Sequence, residues 1–340
     1  MTSLMLEEAR SAADAVAAQH MYADERLALL GRRLAEQPPQ LALTVARGSS
    51  DHAANYFAYL AMQRQGVPVV SLPMSLVTLH NAPLAVAGQL AVALSQSGQS
   101  PDLVETMSSL GRAGAVTVAL VNQHDSPLAE CCEWVVPLCA GPERSVAATK
   151  SYITSLSAVA RLVGHWQGDA PLLDALDNLP ERLKAACQLD WSPAVDVLAP
   201  ADRIMVVGRG LGFAVALEAA LKLKETCALQ AEAFSSAEIR HGPMELIDDG
   251  YPLLVFAPRS PEQAGLLALA EEMRGRGARV LLAAPADIAS RDLTLATADD
   301  EVLDPLLAIQ SFYLMAAALS EARGLNPDQP RHLSKVTRTV

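Results

Sequence analysis

Lysine is scarce in this 340-residue chain: only Lys150, Lys184, Lys222, Lys224 and Lys335 stand among its 26 basic residues. Against 38 acidic residues the formal net charge is −12, and aromatics make up only 4% of the chain. A chain short of positive charge and of stacking rings lacks both features by which nucleic acids are gripped, so no nucleic-acid partner is expected. A small local anion site stays open. Long apolar runs are missing too. The most apolar stretch, Pro305 to Ser320, is interrupted by Gln310 and Ser311 and falls short of the roughly 18 residues a membrane span needs. The N-terminus alternates acidic and apolar residues where a signal peptide would have a basic start and an apolar core. The five cysteines, Cys131, Cys132, Cys139, Cys187 and Cys227, form no CxxC pair and no metal-ligand spacing. Free, mostly buried thiols in a reducing cytoplasm are expected, with no metal, no cofactor and no membrane.

What is present is apolar material, 51% of the chain, enough for a large core, over a length that suggests two domains or one large α/β unit. Apolar residues at helical spacing (Leu27, Leu30, Leu34) end at Pro38-Pro39, which predicts two helices over 1–35. The pattern then changes to short β-branched runs, LALTVARGSS, PVVSLP, LAVALSQSG, AVTVALVN and WVVPLC, each followed by a polar loop and a helical stretch. Such alternation predicts a parallel sheet covered on both faces. A second series follows in the same order, beginning DRIMVVGRGLG, and Arg47-Gly48 aligns on Arg209-Gly210 at an offset of 162, as Val118 does on Val280. The two halves read as a tandem duplication: a first domain over 36–168, one linker helix over 169–200, a second domain over 201–325 and a tail over 326–340.

In a doubly wound sheet ligands bind beyond the carboxyl ends of the strands, where helix N-termini offer free N–H groups. The first half's loops there are rich in hydroxyls: Gly48-Ser49-Ser50 and Ser95-Gln96-Ser97-Gly98-Gln99-Ser100. Short donors, a glycine and a following helix make a phosphate cradle that requires no cationic cluster, although Ser100-Pro101-Asp102 is also an ordinary helix start. Gly208-Arg209-Gly210-Leu211-Gly212 invites a dinucleotide reading, but Phe213 stands where the fingerprint needs its third glycine.

The helix after that loop places Lys222 and Glu225 three residues apart on one face, with Lys224 pointing elsewhere. A carboxylate beside a cation suits a general base; equally, Glu218 and Lys222 fit an ordinary exposed i,i+4 pair. His241, next to Gly242 and Pro243, suits proton shuttling near neutral pH or is a plain surface histidine. The tail carrying Lys335 is either a frayed end or an arm folded over a site.

Together GSS, SQSGQSPD, SVAATKS, ALEAALKLKE, EAFSSAEIRHGP and DQPRHLSK resemble, in order and over nearly the whole chain, the sugar isomerase (SIS) family. Within it the likeness is to the isomerase half of the glucosamine-6-phosphate synthases and to the stand-alone deaminases. The resemblance implies an α/β chain of two tandem SIS domains, each a doubly wound parallel sheet flanked by helices, and a homodimer acting on a sugar phosphate. It implies that Ser49, Ser50, Ser95, Gln96, Ser97 and Ser100 bind the phosphosugar with Val146 lining the site. It makes Glu225 the base, Lys222 its electrostatic aid, His241 the ring-opening group supplied across the dimer, and Lys335 a tail lysine covering or engaging the carbonyl.

Two departures bear on the reaction. Ala148 stands where the family's amidotransferases carry a serine, which removes one sugar contact. The chain also enters the SIS region within about 40 residues, too few for a glutaminase domain. The expectation is therefore isomerising deamination of glucosamine 6-phosphate to fructose 6-phosphate and ammonia. A fructosamine-6-phosphate deglycase, a galactosamine-6-phosphate deaminase or isomerase, and a non-catalytic phosphosugar sensor are the alternatives.

Overall fold

The computed structural model describes residues 2–335; the last part of the expected tail, 336–340, lies outside the described residues. Two helices, α1 (Leu4–Arg10) and α2 (Ala12–Glu36), precede a first α/β series. That series runs β1 (Ala42–Val45), α3 (Ser49–Gln65), β2 (Val69–Ser71), α4 (Ser75–Thr78), β3 (Leu90–Ser95), α5 (Pro101–Arg112), β4 (Val116–Val121), α6 (Pro127–Cys131), β5 (Trp134–Pro137) and α7 (Lys150–Gln167). After α8 (Ala170–Ala186) and α9 (Ser192–Leu198) a second series follows: β6 (Arg203–Gly208), α10 (Leu211–Cys227), β7 (Gln230–Ser235), β8 (Pro252–Phe256), α11 (Gln263–Gly275), β9 (Arg279–Pro285), β10 (Leu293–Leu295) and α12 (Asp304–Ala322).

Each series builds one five-stranded, all-parallel sheet, in the orders β2-β1-β3-β4-β5 and β10-β9-β8-β6-β7. Read from the other edge, the second order is the same as the first. The central strands β1 and β3 are buried at every residue, which is why they lack polar alternation: helices cover both faces. The short edge strands β2 and β5 are more exposed.

The chain forms two compact units. One holds the first sheet and comprises residues 14–143, 150–177 and 334–335; the other holds the second sheet and comprises 2–13, 144–149 and 178–333. In the first, α7 is buried along almost its whole length, and its Arg161 reaches Asp24 at 2.7 Å and Asp177 at 2.5 Å. In the second, the apolar helical stretch Glu301–Ala322 is long enough to cross a membrane, yet 89% of its most apolar window is buried inside the protein, as befits a core helix. The stretch expected as one linker helix forms two, because Asp190 accepts the Ser192 N–H at 2.9 Å and Pro193 starts a new helix. All five cysteines are free, and only Cys227 is fully buried.

Candidate functional site

In the unit built on the first sheet, the two hydroxyl loops leave the carboxyl ends of β1 and β3, which are neighbours in the sheet. Helices α3 and α5 therefore start side by side, with their N–H-rich ends at the same edge. Gly48 caps α3 at φ 55°, ψ −132°, a conformation that side chains avoid, and a Cβ there would meet nothing within 4 Å. The backbone, not crowding, demands glycine, and the space in front of it is open. Gly98, at φ 63°, is crowded instead: a Cβ would lie 2.2 Å from Ser126 Oγ. Ser95 is buried and its hydroxyl accepts the Gly98 N–H at 2.9 Å, while Ser97 Oγ accepts from Gln99 N at 3.3 Å. Each hydroxyl keeps its own proton to donate.

Ser100 occupies the N-cap of α5, yet its side chain makes no capping bond. Its hydroxyl is thus not spent on the helix start that its position suggests. Arg47 donates to Asp102 Oδ2 at 3.0 Å, tying the two loops together. In the same unit, Lys335 Nζ lies 3.5 Å from Glu143, whose fully buried carboxylate also accepts the Ser151 hydroxyl at 2.6 Å. The tail is therefore ordered as far as Lys335.

In the other unit, α10 brings Glu218, Lys222 and Glu225 to one face. Lys222 Nζ is 2.5 Å from Glu225 Oε2 and 3.4 Å from Glu218 Oε1. Tyr313 of α12 donates its hydroxyl to Glu218 at 3.0 Å. Glu218 and Lys222 are wholly buried, whereas Glu225 is 22% exposed. This excludes the exposed-pair reading of Glu218 and Lys222. Burial pulls the pKa of the Lys222 ammonium down, but the two carboxylates outweigh it and the net direction is up, so the charged form is favoured. Glu225 lines a cavity of about 380 Å³ with Lys224, Asn326, Gln329 and Arg331.

His241 ends a 3-10 turn, Glu238–His241, anchored by buried Ile239 and by the Arg240–Glu272 ion pair at 2.5 Å. The turn leaves the imidazole exposed, and Gly242 follows at φ 140°. Among the described residues His241 bonds to neither Lys222 nor Glu225. Val146, half-buried, donates its N–H to the Asp328 carbonyl at 3.1 Å. The structure thus groups Gly48, Ser49, Ser50, Ser95, Gln96, Ser97 and Ser100 at one sheet edge, and Lys222 with Glu225 on one helix.

Sequence reasoning missed Glu143, Tyr313 and the part of Glu218. Only Glu218 had a signal, its i,i+4 place relative to Lys222.

The family model for the SIS domain matches residues 40–163 and 197–311, covering both sheets. The chain belongs to the SIS domain family. Among relatives, it is 32% identical over 302 residues to the glutamine–fructose-6-phosphate aminotransferase of Methanothermobacter thermautotrophicus, covering 86% of this chain and 50% of that protein. The SIS chain therefore spans about half the length of such relatives. A protein of Silicibacter pomeroyi solved as a candidate phosphosugar isomerase superimposes with a TM-score of 0.91 at 39% identity, over 96% of this chain and 100% of that one. The glucosamine-6-phosphate deaminase of Thermotoga maritima shares the fold, with a TM-score of 0.80 at 21% identity over 99% and 100% of the two chains. The chain thus belongs with the phosphosugar isomerase SIS proteins and is related to the glutamine–fructose-6-phosphate aminotransferases.

Proposed function

We propose that this SIS chain is a cofactor-free isomerising deaminase converting glucosamine 6-phosphate and water to fructose 6-phosphate and ammonia. The observation that carries the reading is the Glu218–Lys222–Glu225 cluster: a partly exposed carboxylate at a cavity, backed by a buried ammonium. Such a base suits moving a proton between carbons next to a carbonyl.

In the open-chain sugar Glu225 takes the proton from C2 and returns it to C1, while O1 gains a proton and the C2 nitrogen loses one, so the C1 aldehyde becomes an alcohol and the C2 amine an imine. Water adds to the imine carbon, the C–N bond breaks and ammonia leaves. Lys222 offsets the charge that develops. The hydroxyls of Ser49, Ser50, Ser95, Ser97 and Ser100 with Gln96 bind the phosphosugar beside Gly48, and Val146 lines the site. His241 opens the ring from the second subunit of a homodimer, and Lys335 engages the carbonyl from the tail. Exposed Met21 and Tyr22 on α2 give an apolar face that a dimer could cover. Of the two directions, release needs only sugar phosphate and water. Five free thiols fit a reducing cytoplasm.

Ammonia release from glucosamine 6-phosphate by the wild type and by Glu225→Gln tests the reading. Equal rates would remove Glu225 from its role, and binding of sugar phosphates without turnover of any would favour a sensor. A deglycase acting on fructosamine 6-phosphates is the second reading, favoured by Ala148, which offers no hydroxyl to the sugar where the amidotransferases carry a serine. A panel of N-substituted and epimeric sugar phosphates separates the two.

A further inference from the structure

Helix α1 sits at the junction of two segments that the proposed site uses, and neither its sequence nor its length suggests a role. The first turn of any helix leaves N–H groups without partners inside the helix. Ser3, in the N-cap position, makes no side-chain capping bond. Asp328, from the tail, supplies it instead: its carboxylate accepts the Leu4 N–H at 2.9 Å and the Met5 N–H at 2.7 Å. A carboxylate at that end also meets the positive pole of the helix. Asp328 is aimed by a turn of its own, its N–H donating to Asn326 Oδ1 at 2.9 Å.

The other end of the relay is the segment leading into Val146. Three successive amides there are each held by α1 or by the tail. Arg144 N–H and Ser145 N–H donate to the Glu8 carboxylate, the latter at 3.2 Å, and Val146 N–H donates to the Asp328 carbonyl at 3.1 Å. Glu8 is itself nearly buried, 8% exposed, so it is spent on this contact and not on water. Helix α1 cannot drift to suit either neighbour, since Met5 and Ala9 are fully buried and Gln310 of α12 donates to the Ala9 carbonyl at 2.9 Å.

We propose that α1 is a strap, with Glu8 and Asp328 as positioning residues, that locks the 144–146 loop and the tail into one arrangement, so that ordering one orders the other. Resting on the proposed function, this makes sugar bound along Val146 favour one conformation of the tail segment 326–333. Neither carboxylate touches reacting atoms; both act through the backbone they hold.

The test is amide hydrogen exchange of the full chain, read over 144–150 and 326–333, for Glu8→Gln and Asp328→Asn. Glu8→Gln is expected to speed exchange about tenfold in 326–333 as well as in 144–150, and Asp328→Asn, whose carboxylate caps α1, to do so in 144–150. Asp328→Glu is expected to restore most of the protection. With glucosamine 6-phosphate as probe, both neutral variants lower kcat about tenfold while KM stays within about twofold. Faster exchange confined to 144–150 for Glu8→Gln and to α1 for Asp328→Asn, or a uniform rise across the chain with a fall in Tm, would overturn the strap. Coupled exchange in a chain that turns over no sugar phosphate would leave the strap standing and defeat the functional reading alone.

Discussion

Lys222 Nζ lies 2.5 Å from Glu225 and 3.4 Å from Glu218, so one buried ammonium serves two carboxylates of which only Glu225 reaches the cavity. Two negative charges on one positive charge are tolerable in a core because Tyr313 gives Glu218 a hydrogen bond and Glu225 keeps contact with water. The arrangement separates a structural carboxylate from a reactive one.

Removing the shared cation takes from buried Glu218 the ammonium that offsets its charge. Lys222→Met is therefore expected to lose about 3–5 kcal/mol in urea unfolding, and the double variant Lys222→Met with Glu218→Met to recover most of it. Because the folded pKa of Lys222 is raised above its ordinary 10.5, the stabilisation is complete below that pH and is lost only as pH climbs through the folded value. The wild type is expected to weaken in strong alkali more steeply than the double variant. Parallel curves would show that the ammonium contributes nothing.

A second titration lies at the acid side. His20, beside Ser157 Oγ at 3.3 Å, is pulled down to about 4, first by burial and then by Arg161. Its imidazole is neutral in the fold while the unfolded chain binds a proton below its ordinary 6.5. Stability is then full above about 6.5 and falls as pH drops towards 4, by about 3 kcal/mol in all. His20→Gln is expected to flatten the unfolding midpoint between pH 6.5 and 4; an unchanged acid slope would assign it to other groups.

The strands were legible because a sheet covered on both faces requires continuous apolar runs, and LAVALS and VTVALV have no other use. The hydroxyl loops were legible because Gly48 and Gly98 break those runs where a backbone must turn. The burial of Lys222 was not, since a Glu-x-x-x-Lys pattern reads the same on wet and dry helices, and the other partner of Glu218, Tyr313, comes 95 residues later. Nor was the break at Asp190, which depends on one side-chain bond to Ser192 N. The contacts of Glu8 and Asp328 join segments more than 130 and 320 residues apart, beyond any local pattern.

Gly48 and Gly210, 162 residues apart, share one conformation, φ 55°, ψ −132° against φ 57°, ψ −135°, but not one setting. A Cβ at Gly210 would lie 2.8 Å from the carboxylate of Glu262, which stands at the N-cap position of α11 as Ser100 does at that of α5. Alanine at either position strains the backbone by about 1–3 kcal/mol. Gly48→Ala is expected to weaken binding of inorganic phosphate about tenfold, while Gly210→Ala leaves it within about twofold and loses more stability. Calorimetric titration and urea unfolding of both variants read this directly, and equal losses of phosphate affinity would deny the first loop its special part.

Ser100 offers the sharpest separation of a helix start from a ligand contact. A serine that caps its helix typically loses about 1 kcal/mol on replacement by alanine. Here the hydroxyl makes no capping bond, so Ser100→Ala is expected to change unfolding free energy by less than about 0.5 kcal/mol. If the hydroxyl instead donates to the phosphate, a charge-assisted bond worth about 1.5–3 kcal/mol disappears, and affinity for glucosamine 6-phosphate falls at least about tenfold. Loss of stability with affinity unchanged would return Ser100 to the role of an ordinary cap.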